Sequence, residues 1–340
     1  MDDENNIQNI LNGLFEKTFN EQTLIIEPLP AHGSNRRYFR ISGENRHCIG
    51  AYNEDYKENQ AFIYLTRHFA KKNLPVPALY AEDIQNHIYL IEDLSDLTLF
   101  DFLKQEKKGR DLPQNVLNVY KQVLTLLPKF QIKGAQGLDF SVCYPRAAFD
   151  KQSMLWDLNY FKYYFIKFNN ISFNEQDLED DFHTFSDFLL TAPQDFFLYR
   201  DFQSRNIMLK GEKIYFIDYQ GGRRGALYYD AASLLYDAKA DLSPQTRAVL
   251  LAFYIEQLAS HLVINKEEFM RYYQSYALLR IMQAFGAYGF RGYYEKKEHF
   301  IKSVPFAVKN LKSLLKSLNL SVKIPALQEV LEKISALKID

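Results

Sequence analysis

Apolar positions recur at helical spacing near the start of the chain. Ile7, Ile10, Leu11, Leu14 and Phe15 predict an amphipathic helix ending near Phe19. The pattern then changes to short runs rich in β-branched and aromatic residues. Thr23 to Leu29, Arg37 to Ile41, His47 to Tyr52 and His87 to Ile91 read as strands, with Gly33, Gly43 and Asn86 in their turns. One helix interrupts them, from about Lys57 to Lys72, closed by Asn73-Leu74-Pro75. Past Leu94 the pattern is helical, with helices predicted over 97–107, 113–131, 147–169 and 174–190. Acidic residues Glu175, Asp177, Glu179, Asp180 and Asp181 crowd the start of the last of these, where they suit the helix dipole. A β-rich island occupies 196–218. Helices resume after Asp230: one begins at Ser243-Pro244, a good cap followed by a first-turn proline, another covers about 266–285, and a third 303–318. The expected architecture is α+β in two lobes. Residues 1–94 form a small antiparallel sheet with one helix, 95–325 a larger helical lobe, and 326–340 a C-terminal tail.

Composition narrows the class. The 340 residues are 47% hydrophobic and 24% charged, which excludes long disorder. No internal repeat or low-complexity tract interrupts the chain. The 24 Tyr and 27 Phe are first of all core material, though rings can also stack on a base or sugar. A net charge of −1 offers no global field for nucleic acid or membrane, and neither partner is expected. Two cysteines, Cys48 and Cys143, exclude a disulfide scaffold and a Cys-rich zinc site; they read as two buried free thiols, with a single disulfide as the alternative. The acidic start Met1-Asp2-Asp3-Glu4 is unlike a signal peptide, and no apolar run reaches the ~18 residues of a membrane span. A cytoplasmic location is expected. From Arg291 to Lys323 eight basic residues face two acidic ones, which predicts a solvated helix face or a docking surface for an anionic partner or domain. The tail is expected to dock a partner or to lead into a further domain.

The chemistry concentrates in Leu198-Tyr199-Arg200-Asp201-Phe202-Gln203-Ser204-Arg205-Asn206, a strand to Leu209, a turn at Lys210-Gly211-Glu212, and the apolar strand Ile214-Tyr215-Phe216-Ile217 ending in Asp218-Tyr219-Gln220. A hairpin folded at Lys210-Gly211 brings Asn206 and Asp218 side by side, with Asp201 next to them. Mg²⁺ takes oxygen ligands, one or two carboxylates plus phosphate oxygens. A carboxylate beside such a pair can orient an attacking hydroxyl and accept its proton. These are the parts phosphoryl transfer needs.

This stretch resembles the catalytic and metal loops of the protein-kinase-like fold, in which an Asp is followed five residues later by an Asn, and a metal-binding Asp ends a hydrophobic strand. Tyr219-Gln220 in place of Phe-Gly points to its aminoglycoside phosphotransferase-like branch of small-molecule kinases. The turn Ala31-His32-Gly33-Ser34-Asn35-Arg36-Arg37 looks like the phosphate-covering turn of the anomeric N-acetylmuramate/N-acetylglucosamine kinases of that branch. Leu74-Pro75-Val76-Pro77 and Leu90-Ile91-Glu92-Asp93-Leu94 look like their route into the hinge. Tyr229-Asp230-Ala231-Ala232 looks like their post-metal segment. The likeness spans about 25–320.

The resemblance implies an ATP- and Mg²⁺-dependent kinase in which Asp201 is the catalytic base and Asn206 and Asp218 hold metal. It implies that Gly33, Ser34, Asn35, Arg36, Arg37 and the backbone of Glu92 and Leu94 meet the nucleotide. The implied acceptor is a small polar hydroxyl compound, foremost an amino sugar at its anomeric position in cell-wall recycling; choline or an aminoglycoside are alternatives. Arg205, Asp157, Arg280, Gln283 and Arg291 are candidate acceptor contacts. Asp230 is expected to hold structure, through an N-cap or a contact to the catalytic loop, rather than to perform chemistry. Two departures stand out. Tyr199 replaces the usual His, a position that mainly supports the loop. The strand His47-Cys48-Ile49-Gly50-Ala51-Tyr52 lacks the lysine that grips ATP, for which Arg36, Arg37 or Lys57 are substitutes. That lack raises a second possibility, a nucleotide-binding pseudokinase that senses without catalysing.

Overall fold

The computed structural model describes residues 2–30, 36–107, 109 and 112–337. The N-terminal lobe runs α1 (Asp2–Phe19), β1 (Ile25–Pro28), β2 (Arg37–Ser42), β3 (His47–Tyr52), α2 (Tyr56–Lys71), β4 (Leu79–Asp83) and β5 (Ile88–Ile91). Its five strands form one antiparallel sheet in the order β1-β2-β3-β5-β4. The alternating side chains of β2, β3 and β5 divide between two faces, as a strand's period of two requires. Phe39, Ile41, Cys48, Ile88 and Leu90 pack with Ile7, Leu11 and Phe15 of α1. Ile49, Ala51, Tyr89 and Ile91 face the other way, toward α2 and the second lobe. The helix at the chain start therefore covers the outer face of the sheet. Asp55 caps α2 through the Glu58 N–H, 3.1 Å away, so the helix starts at Tyr56, one residue before the expected Lys57.

The second lobe contains α3 (Leu99–Glu106), α4 (Gln114–Pro128), α5 (Lys151–Phe161), α6 (Glu175–Leu190), β6 (Phe196–Leu198), β7 (Ile207–Lys210), β8 (Lys213–Phe216), β9 (Arg223–Gly225), α7 (Tyr228–Leu235), α8 (Pro244–Ala259), α9 (Lys266–Tyr288), α10 (Glu298–Ile301), α11 (Val304–Leu315) and α12 (Pro325–Ser335). The island splits into two ribbons, β7–β8 as the expected hairpin and β6–β9. Helix α5 starts at Lys151 rather than near 147 because Asp150 accepts from the Ser153 N–H and caps it. It continues as a wider π turn through Ile166.

Within 326–340, expected as a tail, α12 is a packed helix: Leu327, Val330, Leu331 and Ile334 are buried in the main core. Asp181 on α6 accepts from the Leu327 N–H at 2.8 Å, satisfying a donor at the helix start. The basic face of 303–318 is confirmed in part as solvated. Val304, Val308 and Leu311 point into the core, and Lys309 pairs with Asp241 at 2.6 Å. Both cysteines are free and buried. Among the described residues, no helix is long and apolar enough to cross a membrane.

Candidate active site

The hairpin sets the geometry. Residues Ile207 to Lys210 pair in register with Phe216 to Lys213, so Asn206 and Ile217 emerge side by side. The Asn206 amide donates 2.8 Å to the Asp201 carbonyl and 3.1 Å to Asp218 Oδ2. Gln220 donates 2.6 Å to Asp218 Oδ1. The structure thus gathers Asp201, Asn206 and Asp218 as the sequence predicted. Asp201 is half-buried, and its carboxylate has no hydrogen bond or ion pair among the described residues. A Cβ on Gly221 would lie 3.9 Å from Asp201 Oδ2, so the loop after Asp218 passes directly over it. The next residue has to be glycine: a Cβ on Gly222 would meet the Phe197 ring at 2.2 Å.

Backbone strain marks the two ends of the site. Arg200 and Asp218 have φ of +82° and +67°, a region that costs L-residues free energy and must be held by its surroundings. The surroundings are visible. Asp230, fully buried, accepts from the Tyr199 and Arg200 N–H groups at 2.9 and 3.0 Å. Tyr199 donates its hydroxyl to the Ile217 carbonyl, which ties the catalytic loop to the strand before Asp218. That contact accounts for Tyr in place of His.

Burial pushes Asp230 up to about 7, against the pull of the two N–H groups. A carboxyl raised by folding stabilises fully below its unfolded value near 4 and loses that contribution as pH rises through about 7. The stability gap between wild type and Asp230→Asn should therefore shrink as pH rises from 5 to 8, measured by urea unfolding. A gap that widens with pH would contradict this assignment.

Asp218 also lies above the ordinary carboxylate range, pushed by burial and then by the charge of Asp201; Gln220 and Arg36 pull it back. A carboxylate so placed favours a cation. Among the described residues, no three His, Cys, Asp or Glu side chains converge on one metal position. The available donor set is a carboxylate plus an amide oxygen, which fits Mg²⁺ completed by phosphate oxygens and water.

On the nucleotide side, Gly33, Ser34 and Asn35 lie outside the described residues. Arg36 is 5% exposed and sits over the Phe62 ring, with Nη1 donating to Tyr38 Oη at 3.2 Å. Its Nη2 is 3.2 Å from Glu58 of α2, but off the hydrogen-bond direction, so Nε and Nη2 have no hydrogen-bond partner among the described residues. Arg37 lies over the Tyr52 ring instead. Lys57 is exposed. In the linker after β5, the Glu92 carboxylate is engaged by Lys210 at 2.9 Å. Leu94 is buried, and its N–H makes no hydrogen bond among the described residues.

The candidate acceptor contacts divide. Both Asp157 oxygens accept from Arg200, at 2.6 and 2.7 Å, so Asp157 braces the strained residue before Asp201 rather than standing free. Arg280 donates to Ser233 and, at 2.8 Å, to Gln283. Arg291 pairs with Glu295 one turn along. Arg205 is exposed and unpaired. Sequence reasoning passed over Arg223. It is 6% exposed, donates 3.0 and 2.9 Å to the Gly221 carbonyl, and is pushed down to about 10 by burial and by Arg200. Nothing in the local pattern of β9 marks it.

The chain matches the phosphotransferase enzyme family over residues 25–264. It is 22% identical over 286 residues to an N-acetylmuramate/N-acetylglucosamine kinase of Pseudomonas aeruginosa, covering 82% of this chain and 80% of that protein. A kinase of the same name from Neisseria meningitidis serogroup B is 24% identical over 280 residues, 79% of each chain. Among solved structures, a choline kinase from Streptococcus pneumoniae superposes with a TM-score of 0.61 at 14% identity, over 92% of this chain and 99% of that one. The chain shares its two-lobe kinase-like fold with that solved structure.

Proposed function

The chain belongs to the phosphotransferase enzyme family, and from that premise we propose that it transfers the γ-phosphoryl group of ATP to the anomeric hydroxyl of an N-acetylated amino sugar. The observation that carries the reading is the unpartnered Asp201 carboxylate beside the Asn206–Asp218 pair, on a backbone braced by Asp230. Asp201 orients the acceptor hydroxyl and takes its proton as the oxygen attacks phosphorus. Asn206 and Asp218 are the residues that would hold Mg²⁺. When bound, Mg²⁺ neutralises charge on the phosphate oxygens and orients them. Arg36 supplies the fixed positive charge that the lysine-free strand lacks, and Glu58 anchors it. Gly33, Ser34 and Asn35, outside the described residues, are assigned to the phosphates by the sequence resemblance alone. The Glu92–Leu94 backbone meets the adenine edge, with the Leu94 N–H as a free donor.

The amino sugar comes from the two curated relatives, whose names carry it at 22% and 24% identity. Choline is the alternative acceptor that the survey below separates from an amino sugar. A sensor that only binds nucleotide has no use for a free carboxylate at Asp201.

The test is a mass-spectrometric survey of phosphoryl transfer from ATP/Mg²⁺ over N-acetylglucosamine, N-acetylmuramate, hexoses, choline and aminoglycosides. Amino-sugar monophosphates are expected. Transfer to choline alone would overturn the acceptor assignment and keep the mechanism.

A further inference from the structure

A groove of about 420 Å³ lies on the second lobe where α3 meets the Ala238–Ala240 turn and helices α10 and α11. None of Asp201, Asn206 or Asp218 lines it. Its floor is apolar, with Phe100, Leu103 and Phe306, and Phe306 is itself exposed. Its walls are cationic: Lys104, Lys107, Lys239, His299 and Lys302 line it, and no carboxylate does.

Glu298 pairs with one lysine of the groove, Lys302, while Asp237 and Asp241 are hydrogen-bonded beside it. Asp237 accepts from the Ser204 hydroxyl at 2.6 Å, Asp241 from Lys309 at 2.6 Å, and Glu298 from Lys302 at 3.1 Å. Lys107 has only the Ala240 and Asp241 carbonyls. Lys104, Lys239 and Arg205 have no ion pair among the described residues. Burial lowers Lys239, and the charges of Arg205 and Lys104 lower it further; His299 is lowered by burial and then by Lys239 and Arg205. The charges of Lys104, Lys239 and Arg205 repel one another, an effect that Asp237 offsets only in part at Lys239. An anion relieves that repulsion.

Position ties the groove to the reaction. Arg205 belongs to the same loop as Asp201, four residues on, a separation the chain cannot stretch beyond about 14 Å. The Ser204–Asp237 bond fixes that loop to the turn that presents Lys239. An acceptor whose hydroxyl meets Asp201 can extend past Arg205 toward the groove.

We propose that this groove is the subsite for an acidic arm of the acceptor, a carboxylate or phosphate on a partly apolar body, so that the enzyme selects anionic over neutral acceptors. The proposal rests on the phosphotransferase reading above. Lys104, Lys239 and Arg205 meet the charge, and Phe100 and Phe306 meet the carbon skeleton.

Three acceptors share one ring and differ in the arm: N-acetylglucosamine has none, N-acetylmuramate a carboxylate, and N-acetylglucosamine 6-phosphate a phosphate. The kcat/KM for at least one acidic sugar should exceed that for the neutral sugar tenfold or more at low salt, and which acid gains more identifies the arm. In the double variant Lys104→Gln, Lys239→Gln that ratio should fall toward 1. Lys312→Gln, Lys316→Gln, which removes the same charge from an exposed face, should keep it. Calorimetric binding of the same sugars, with a non-hydrolysable ATP analogue and Mg²⁺, provides the second readout. If none of the three is phosphorylated yet the acidic sugars bind in a lysine-dependent way, the acceptor reading fails and the groove stands. A ratio unmoved by the double variant, or acidic-sugar binding that is absent or indifferent to the two lysines, overturns the groove.

Discussion

Asp201→Asn should give a folded protein that binds ATP normally and has lost nearly all turnover, with kcat down about 10²- to 10⁴-fold. The argument is geometric. Asp201 is the one carboxylate of the cluster left without a partner, since Asp218 is held by Asn206 and Gln220, and Asp157 by Arg200. The amide is nearly the same size and cannot take a proton. It also leaves the Asp230 brace intact, because that brace reaches the backbone of Tyr199 and Arg200 rather than the side chain of Asp201. Steady-state kinetics combined with ATP-analogue binding reads both halves of the expectation. Turnover within threefold of wild type would remove Asp201 from the role of base.

The second large effect concerns Arg36. Arg36→Met keeps the stem over Phe62 and deletes the guanidinium. Losing charge-assisted hydrogen bonds to phosphate should lower kcat/KM for ATP by about 10- to 100-fold. Arg36→Lys should restore part of it, because lysine returns the charge without the fork. Among the described residues Glu58 balances the Arg36 charge, but Nε and Nη2 have no hydrogen-bond partner, and donors left so are available to the phosphates that the proposed reading places there. Unchanged ATP kinetics in Arg36→Met, with an unchanged thermal midpoint, would reduce Arg36 to a packing residue.

Much of this was legible in the sequence because it is local. The turn at Lys210-Gly211 fixes the hairpin, and the hairpin fixes the neighbours Asn206 and Asp218. The sheet, α2 and the helical lobe follow from hydrophobic period. What escaped is tertiary. Strand β9 is only Arg223–Gly225, too short and too polar to show a period, and it exists because β6 is there to pair with it. The same holds for α12: its apolar face acquires meaning only against α6, through residues 146 positions apart such as Asp181 and Leu327. Asp157 read as a candidate acceptor contact because its partner Arg200 lies 43 residues away. The sequence named Arg36 among three substitutes for the missing lysine. Burial, the Phe62 ring and Glu58 single it out, and none of these is a neighbour in sequence. The cationic groove draws Lys104, Lys239 and His299 from three distant elements.

The central claim is phosphoryl transfer to an anomeric hydroxyl at the Asp201 site. Phosphorus NMR of wild-type protein with ATP, Mg²⁺ and N-acetylmuramate tests it most directly. The account predicts loss of the ATP γ signal, growth of ADP, and a sugar phosphate resonance coupled to the proton on C1, all absent in Asp201→Asn. ATP left intact by wild-type protein shown to bind it, or the same product formed at the same rate by Asp201→Asn, would contradict the account.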